Sequence, residues 1–342
     1  MSDTQIKRER VLSILDSAGA NSVQLASAAA ISWYLDGAAT HVSLAAGPIV
    51  AVEVSRSGDR VLLTSNESER LVAEQLPAGS VLEVRDWFAA LPAPVDRSEA
   101  QLDAELRAAR QKFLPGETER YRLLGEHAAI AMTDALSTAE PSMSERALAA
   151  VVTQRLVESG ADPLVVLVGG EHRPTYRHPL PTDAAIGRRA IVTVCARRSG
   201  LIVNLSRWLR FGAETAEERD SEARIRLVEA DVFAATRPGA TLAEVLAVAA
   251  ESYPRHGFDA EEWTRHHQGG AAGYAGRDAR ATPDAADRIV LGQHFAWNPT
   301  ALGAKIEDTV VLSTDGISPI TVDARWPTTM VAGRARPVAL EL

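Results

Sequence analysis

A change of rhythm at Leu91-Pro92-Ala93-Pro94-Val95 constrains this chain more than any other feature. Proline fixes φ and removes a backbone donor, so neither helical nor strand periodicity runs through the segment. Before it, short stretches alternate between the two periods. The spacing predicts helices over 5–20, 28–35 and 66–76 and strands over 23–26, 48–55, 60–64 and 80–83, a small α/β domain of about 100 residues. After it the elements come in blocks. Helices are expected over 99–110, 116–136 and 145–159, the last preceded by Ser142-Met143-Ser144-Glu145 with capping-box spacing. Strands are expected over 164–168, 190–195 and 201–206, helices over 216–236 and 242–253, and strands again over 294–297, 305–313 and 319–322. Segregated blocks of this kind indicate an α+β second domain.

Composition excludes more than it selects. Lys plus Arg number 36 against 45 Asp plus Glu, a net charge of −9, so the chain lacks the basic excess that a nucleic-acid partner requires. No apolar run approaches the ~18 residues of a membrane span, and the N-terminus has no secretory pattern. A single cysteine, Cys195, excludes an internal disulfide and a cysteine-based zinc site and suits a reducing cytoplasm. Walker, dinucleotide-binding, H-E-x-x-H and G-x-S-x-G signatures are all absent.

Three segments carry residue types suited to chemistry. In Arg265-His266-His267-Gln268-Gly269-Gly270-Ala271-Ala272-Gly273-Tyr274-Ala275-Gly276-Arg277-Asp278, paired imidazoles run into glycines that permit close approach of another group. Arg277 is suited to hold a carboxylate there. In Lys305-Ile306-Glu307-Asp308-Thr309, strand alternation sets Glu307 and Thr309 on one face and Asp308 on the other; a carboxylate in so apolar a strand needs a partner or solvent. In Tyr176-Arg177-His178-Pro179-Leu180-Pro181-Thr182, prolines stiffen a loop that presents an imidazole, or simply hold a loop histidine against backbone. Trp208, Trp263 and Trp297 are expected in the core, and Cys195 as a packing residue.

In this order the segments resemble the M24 peptidase family, the pita-bread fold of methionyl aminopeptidase, Xaa-Pro aminopeptidase, prolidase and creatinase. The closest match is Glu307-Asp308-Thr309-Val310-Val311-Leu312-Ser313-Thr314-Asp315-Gly316, which is similar to the closing E-D-T strand and hairpin of that family. Residues 190–212 resemble its D-x-G…D-x-T-R strand pair, and 266–270 its glycine-flanked histidine. The resemblance implies an α+β protein: a creatinase/prolidase-type α/β N-terminal domain over 1–105 and a pita-bread domain over 115–342. It also implies a homodimer acting on a small molecule or short peptide.

Active metallopeptidases of the family hold two metal ions with two Asp, one His and two Glu. The matching positions here are Thr193, Asn204, His267 (with His266 one residue away), Asn298 and Glu307. Three carboxylates have become neutral side chains. Two divalent ions bring four positive charges and find one carboxylate, and hard cations need anionic oxygen to replace their hydration. No cofactor is therefore expected.

Creatinase performs C–N hydrolysis in this fold without metal, and its H-N-P-V-T and Y-Y-G-R-E segments resemble His178–Thr182 and Tyr274–Asp278. On that resemblance His178 is the general acid or base, with His267 and Glu307 as catalytic partners and Glu307 polarising water. Arg277 or Arg173 would bind a substrate carboxylate, with Tyr274, His266, Asn298, Asn204 and Thr193 lining the substrate space. Creatinase keeps a Glu where this chain has Asn298, which argues against creatine itself. The leading expectation is a metal-independent hydrolase of a small amide or amidine C–N bond. The alternatives are a metal-dependent Xaa-Pro aminopeptidase or dipeptidase with a single ion at His267 and Glu307, helped by Asp308 or Asp278, and a non-catalytic binder on the same scaffold. Purified protein is expected to carry no stoichiometric metal pair; elemental analysis returning about two Mn, Co, Zn or Fe ions per chain contradicts this.

Overall fold

The computed structural model describes residues 2–342. The chain divides into two compact units, Met1–Arg120 with Arg198–Leu201, and Tyr121–Arg197 with Ile202–Leu342.

In the first unit, α1 (Asp3–Ser17) starts at a capping box in which Ser2 and Gln5 satisfy each other's backbone N–H groups. It is followed by β1 (Ser22–Leu25), α2 (Ala28–Tyr34), β2 (Val50–Ser55), β3 (Gly58–Thr64), α3 (Ser65–Glu74), β4 (Leu82–Arg85), β5 (Arg97–Ser98) and α4 (Asp103–Gln111). The sheet runs β4-β3-β2-β1-β5, antiparallel at its centre and parallel at both edges. Val11, Leu15, Val23, Leu25 and Val54 are fully buried in the core. Lys7 is buried with them and is neutralised by Asp36 at 2.8 Å and Glu117 at 3.1 Å. The proline segment runs inside this unit as irregular chain between β4 and β5.

The helix α5 (Pro115–Leu136) leads to the second unit, where α6 (Glu145–Glu158) precedes β6 (Asp162–Gly169), β7 (Arg189–Arg198) and β8 (Leu201–Arg210). Then come α7 (Ala216–Ala235), α8 (Leu242–Arg255), β9 (Gly269–Ala271), β10 (His294–Trp297), β11 (Thr300–Ala301), β12 (Ala304–Lys305), β13 (Asp308–Ser313), β14 (Gly316–Pro319), β15 (Thr328–Val331), β16 (Arg334–Pro337) and β17 (Leu340–Glu341). One sheet has the order β17-β8-β7-β6 and another β14-β13-β10-β9. An antiparallel bridge between Ser206 and Glu307 joins the two, with Ser206 N donating to Glu307 O at 3.0 Å. Trp297 and Phe295 pack inside, against Val245, Leu246 and Val310.

Three expectations shift in detail. The cap of α6 is Ser144, whose hydroxyl accepts from Ala147 N; Glu145 sits one residue inside the helix and is free to bond elsewhere. The strand expected over 305–313 is interrupted at Ile306-Glu307, because Glu307 leaves one ladder to bridge Ser206. The hairpin strand expected over 319–322 is instead Gly316–Pro319, since the turn is tight enough for Ser313 to pair with Gly316 directly. The β15–β16 hairpin was not apparent from patterning, as its exposed residues show little alternation.

Two glycines set the strand spacing near the site. Gly269 and Gly270 have φ of +119° and +149°, and a Cβ on either would meet backbone, the carbonyl oxygens of Ala296 and Ala279 respectively.

As alternation predicts, Asp308 faces away from Glu307. It accepts from Arg207 at 2.8 Å, Arg336 at 2.7 Å and Thr321 at 2.6 Å, and Arg336 also clasps Glu229 through two bonds of 2.6 Å. All four charged groups are buried. Arg336→Met is expected to lower stability by about 3–5 kcal/mol, because it strands Glu229 in the interior; chemical denaturation showing a loss within experimental scatter of zero contradicts this.

Candidate active site

The break between β12 and β13 aims the Glu307 side chain at the face of β7 and β8 that carries Thr193, Cys195, Asn204 and Ser206. Glu307 is 2% exposed. Its Oε2 accepts from Ser206 Oγ at 2.7 Å and lies 3.1 Å from Lys305 Nζ, while Oε1 accepts from Arg277 Nη2 at 2.9 Å. Burial pushes the carboxyl up, but the two cations and the hydroxyl outweigh it and hold Glu307 down at about 2. The Lys305 ammonium also reaches Thr193 Oγ1 at 3.4 Å, and Thr193 and Ser206 share a hydrogen bond of 2.8 Å.

A cavity of about 610 Å³ opens beside this cluster, and its wall includes His178, His267, Thr193, Asn204, Asn298, Arg277, Lys305 and Glu307. Eight of the ten site residues expected from sequence thus gather at or against the cavity, counting His266, which touches His178. Asn204 Oδ1 accepts from the Cys195 thiol at 3.0 Å, and the thiol is pushed up to about 12, chiefly by burial, as suits an inert packing residue. Asn298 is 2% exposed, and among the described residues neither its Oδ1 nor His267 Nδ1 has a partner.

Arg173 and Tyr274 do not line the cavity. Arg173 pairs with Glu145 and donates to the Leu180 carbonyl at 3.0 Å. The buried Glu145 carboxylate at the start of α6 also accepts from the backbone N–H groups of Gly170 and Thr182, and it needs a cation where it stands. Tyr274 is 3% exposed. Arg277 lines the cavity, but its guanidinium is engaged by Glu307 rather than open to a ligand. Two residues were missed as site members. Lys305 lies two positions before Glu307, and that spacing was the available signal. Arg280 lies on the wall, exposed and without a carboxylate partner among the described residues, and only the loop's closure brings it there.

The histidines form a chain. His266 Nδ1 is 2.6 Å from the His267 carbonyl oxygen, which only accepts, so Nδ1 carries the proton. Burial, then the nearby Lys305, holds His266 neutral with its pKa at about 3, so its Nε2 is a lone pair. His178 Nε2, 3.2 Å away, therefore donates. Burial and Lys305 also lower the pKa of His178, and the neutral ring keeps its open lone pair on Nδ1. His267 is brought down to about 4, mainly by burial and then by Arg277. One nitrogen from each of the three rings lies within 4.8 Å of the other two.

A family model described as metallopeptidase family M24 matches residues 119–314. No curated protein matches the chain in sequence. Among solved structures, the prolidase from Pyrococcus horikoshii OT3 superposes with a TM-score of 0.77 at 16% identity, covering 93% of this chain and 99% of that one. Dipeptidase PepE from Mycobacterium ulcerans gives 0.76 at 17% identity and covers both chains completely. The N-terminal domain of the FACT complex subunit SPT16 from Cicer arietinum gives 0.66 at 12% identity, covering 94% and 97%. At these identities the likeness is one of fold.

Because the Glu307 carboxylate titrates far below an unfolded glutamate, its ion pairs stabilise the fold above pH ~4.5 and are lost as pH falls toward 2. Glu307→Gln is expected to flatten that acid limb of stability. Denaturation curves for the variant and the parent that fall in parallel from pH 5 to pH 2 contradict it.

Proposed function

The chain belongs to metallopeptidase family M24, and from that premise we propose that it is a hydrolase that has exchanged the family's metal chemistry for metal-independent, creatinase-like acid/base cleavage of a C–N bond in a small amide or amidine-type substrate. The observation that carries this is the state of Glu307. The single carboxylate at the five matched positions is already neutralised by Lys305 and Arg277, and Thr193, at another of those positions, faces the Lys305 ammonium. A metal pair does not fit that donor set: it has one anionic oxygen donor group where four charges need matching, and a fixed ammonium stands beside it. Asp308, turned away and paired with two arginines, cannot assist.

The residues present suit general base catalysis. His178 Nδ1 offers a lone pair at the cavity, and His266 is the positioning residue that fixes the tautomer through Nε2. His178 would take a proton from water and return it to the leaving nitrogen. Glu307 stays ionised at the cavity wall, held there by the bonds that Ser206 and Arg277 donate to it. The same reading carries a cytoplasmic homodimer acting on a small molecule or short peptide, supported by the family resemblance and the lone cysteine.

Two other readings have some support. The prolidase and dipeptidase neighbours favour a metal-dependent dipeptidase. A single ion at His267 and Glu307, or at the three imidazoles, would have to displace the Lys305 pair or break the His178–His266 hydrogen bond amid nearby cations. A subunit of a protein complex among the neighbours is the support for a protein binder on this scaffold.

A screen of amides and dipeptides in the presence of a chelator is expected to find turnover that survives metal removal. His178→Ala is expected to reduce kcat by on the order of 100-fold or more without loss of folding. With the base pKa below its usual value, the rate should hold from neutral pH down past ~6.5 before falling. Turnover that requires added Mn, or that is unchanged in His178→Ala, contradicts the proposal.

A further inference from the structure

The polarity of the cavity wall points to a ligand class. Lys305, Arg277 and Arg280 line it against one carboxylate, Glu307. Arg277 is committed to Glu307 and to the Gly276 carbonyl at 2.6 Å. Lys305 spends two of its three N–H groups on Glu307 and Thr193, which leaves one ammonium N–H without a partner among the described residues, on a side chain 5% exposed. Arg280 is exposed on the same wall, with a guanidinium fork that pairs with no carboxylate among the described residues. Asn298, 2% exposed, has an amide oxygen with no partner among the described residues; as an acceptor it suits a ligand N–H or hydroxyl beside the anion, not the anion itself. A site with two cations in excess of its anion, one of them desolvated and preorganised by Thr193 and Glu307, is built for negative charge.

We propose that the cavity is an oxyanion site, in which Lys305 and Arg280 hold a carboxylate or phosphate group of the ligand. A position that elsewhere in the family receives cations thus receives an anion. Lys305 supplies a point charge from the buried side, and Arg280 supplies the bidentate fork from the open side. The inference rests on the proposed function only for the identity of the cavity as the active site, since anion binding needs no turnover.

Isothermal titration of the full chain at neutral pH, with inorganic phosphate in one arm and acetate in the other, tests it. Saturable one-to-one binding that weakens with ionic strength is expected in at least one arm. Saturation by phosphate alone assigns a phosphorylated ligand, and saturation by acetate alone assigns a carboxylate. Lys305→Met and Arg280→Gln are each expected to weaken binding by on the order of tenfold or more, the effect of losing one charge-assisted hydrogen bond. Arg280→Gln changes an exposed side chain, so it carries the test if Lys305→Met fails to fold. No saturable binding in either arm, or affinity unchanged in folded Arg280→Gln, overturns the inference. Variant-sensitive anion binding without any hydrolysis supports the oxyanion site and removes the hydrolase reading. Metal-free hydrolysis of neutral amides without anion binding does the reverse.

Discussion

The buried carboxylate of Glu307 needs a positive charge, and this chain supplies that charge from within. Removing a carboxylate from water costs several kcal/mol unless it is paired and hydrogen-bonded. Lys305 two residues earlier in the chain, Arg277 from the glycine-rich loop and Ser206 from the facing sheet meet that cost together. The arrangement depends on a backbone detail: the strand expected to run unbroken through Glu307 breaks there and bridges to Ser206, and the side chain is thereby turned toward β7 and β8. Strand alternation then carries Asp308 into a separate buried network with Arg207, Arg336 and Glu229, which braces the break from behind.

Once Glu307 is satisfied internally, the chemistry of the cavity follows. Thr193, Asn204 and Asn298, the positions that the family resemblance matches to metal-binding acids, put neutral side chains on its wall. The charge that remains is positive, and it adds to the larger effect of burial in keeping the imidazoles of His178, His266 and His267 deprotonated. Neutral imidazoles joined in a hydrogen-bonded chain are poised to accept protons. A cationic wall beside them is poised to receive an anion. Both properties draw on the same excess of positive charge at the wall.

Much of this was legible in the sequence. The Glu307–Gly316 run, the histidine pair and the two strands around Cys195 identify the fold, because turn chemistry and alternation there are strong local signals. The neutral residues at Thr193, Asn204 and Asn298 could be read off directly. What local pattern did not carry was pairing across the fold. Arg173 looked suited to a ligand carboxylate, but it belongs to Glu145, which is freed for it because the helix cap is Ser144. Arg277 proved to be the partner of Glu307. Lys305 and Arg280 reach the cavity only through a β-hairpin and a loop closure whose registers depend on distant neighbours. The tautomer of His178, too, depends on a carbonyl 89 residues away in the chain, that of His267, acting through His266.

The most direct test of the account is the titration of Glu307 itself, followed by carbon NMR of glutamate-labelled protein that has been stripped with chelator, with Glu307→Gln assigning the resonance. The account predicts a carboxyl that stays ionised down to about pH 2 in the metal-free protein and does not shift when Mn or Zn is added. A carboxyl that titrates at or above its ordinary value in the stripped protein, and is depressed only when metal is supplied, would show that the counter-charge belongs to an ion and not to Lys305 and Arg277.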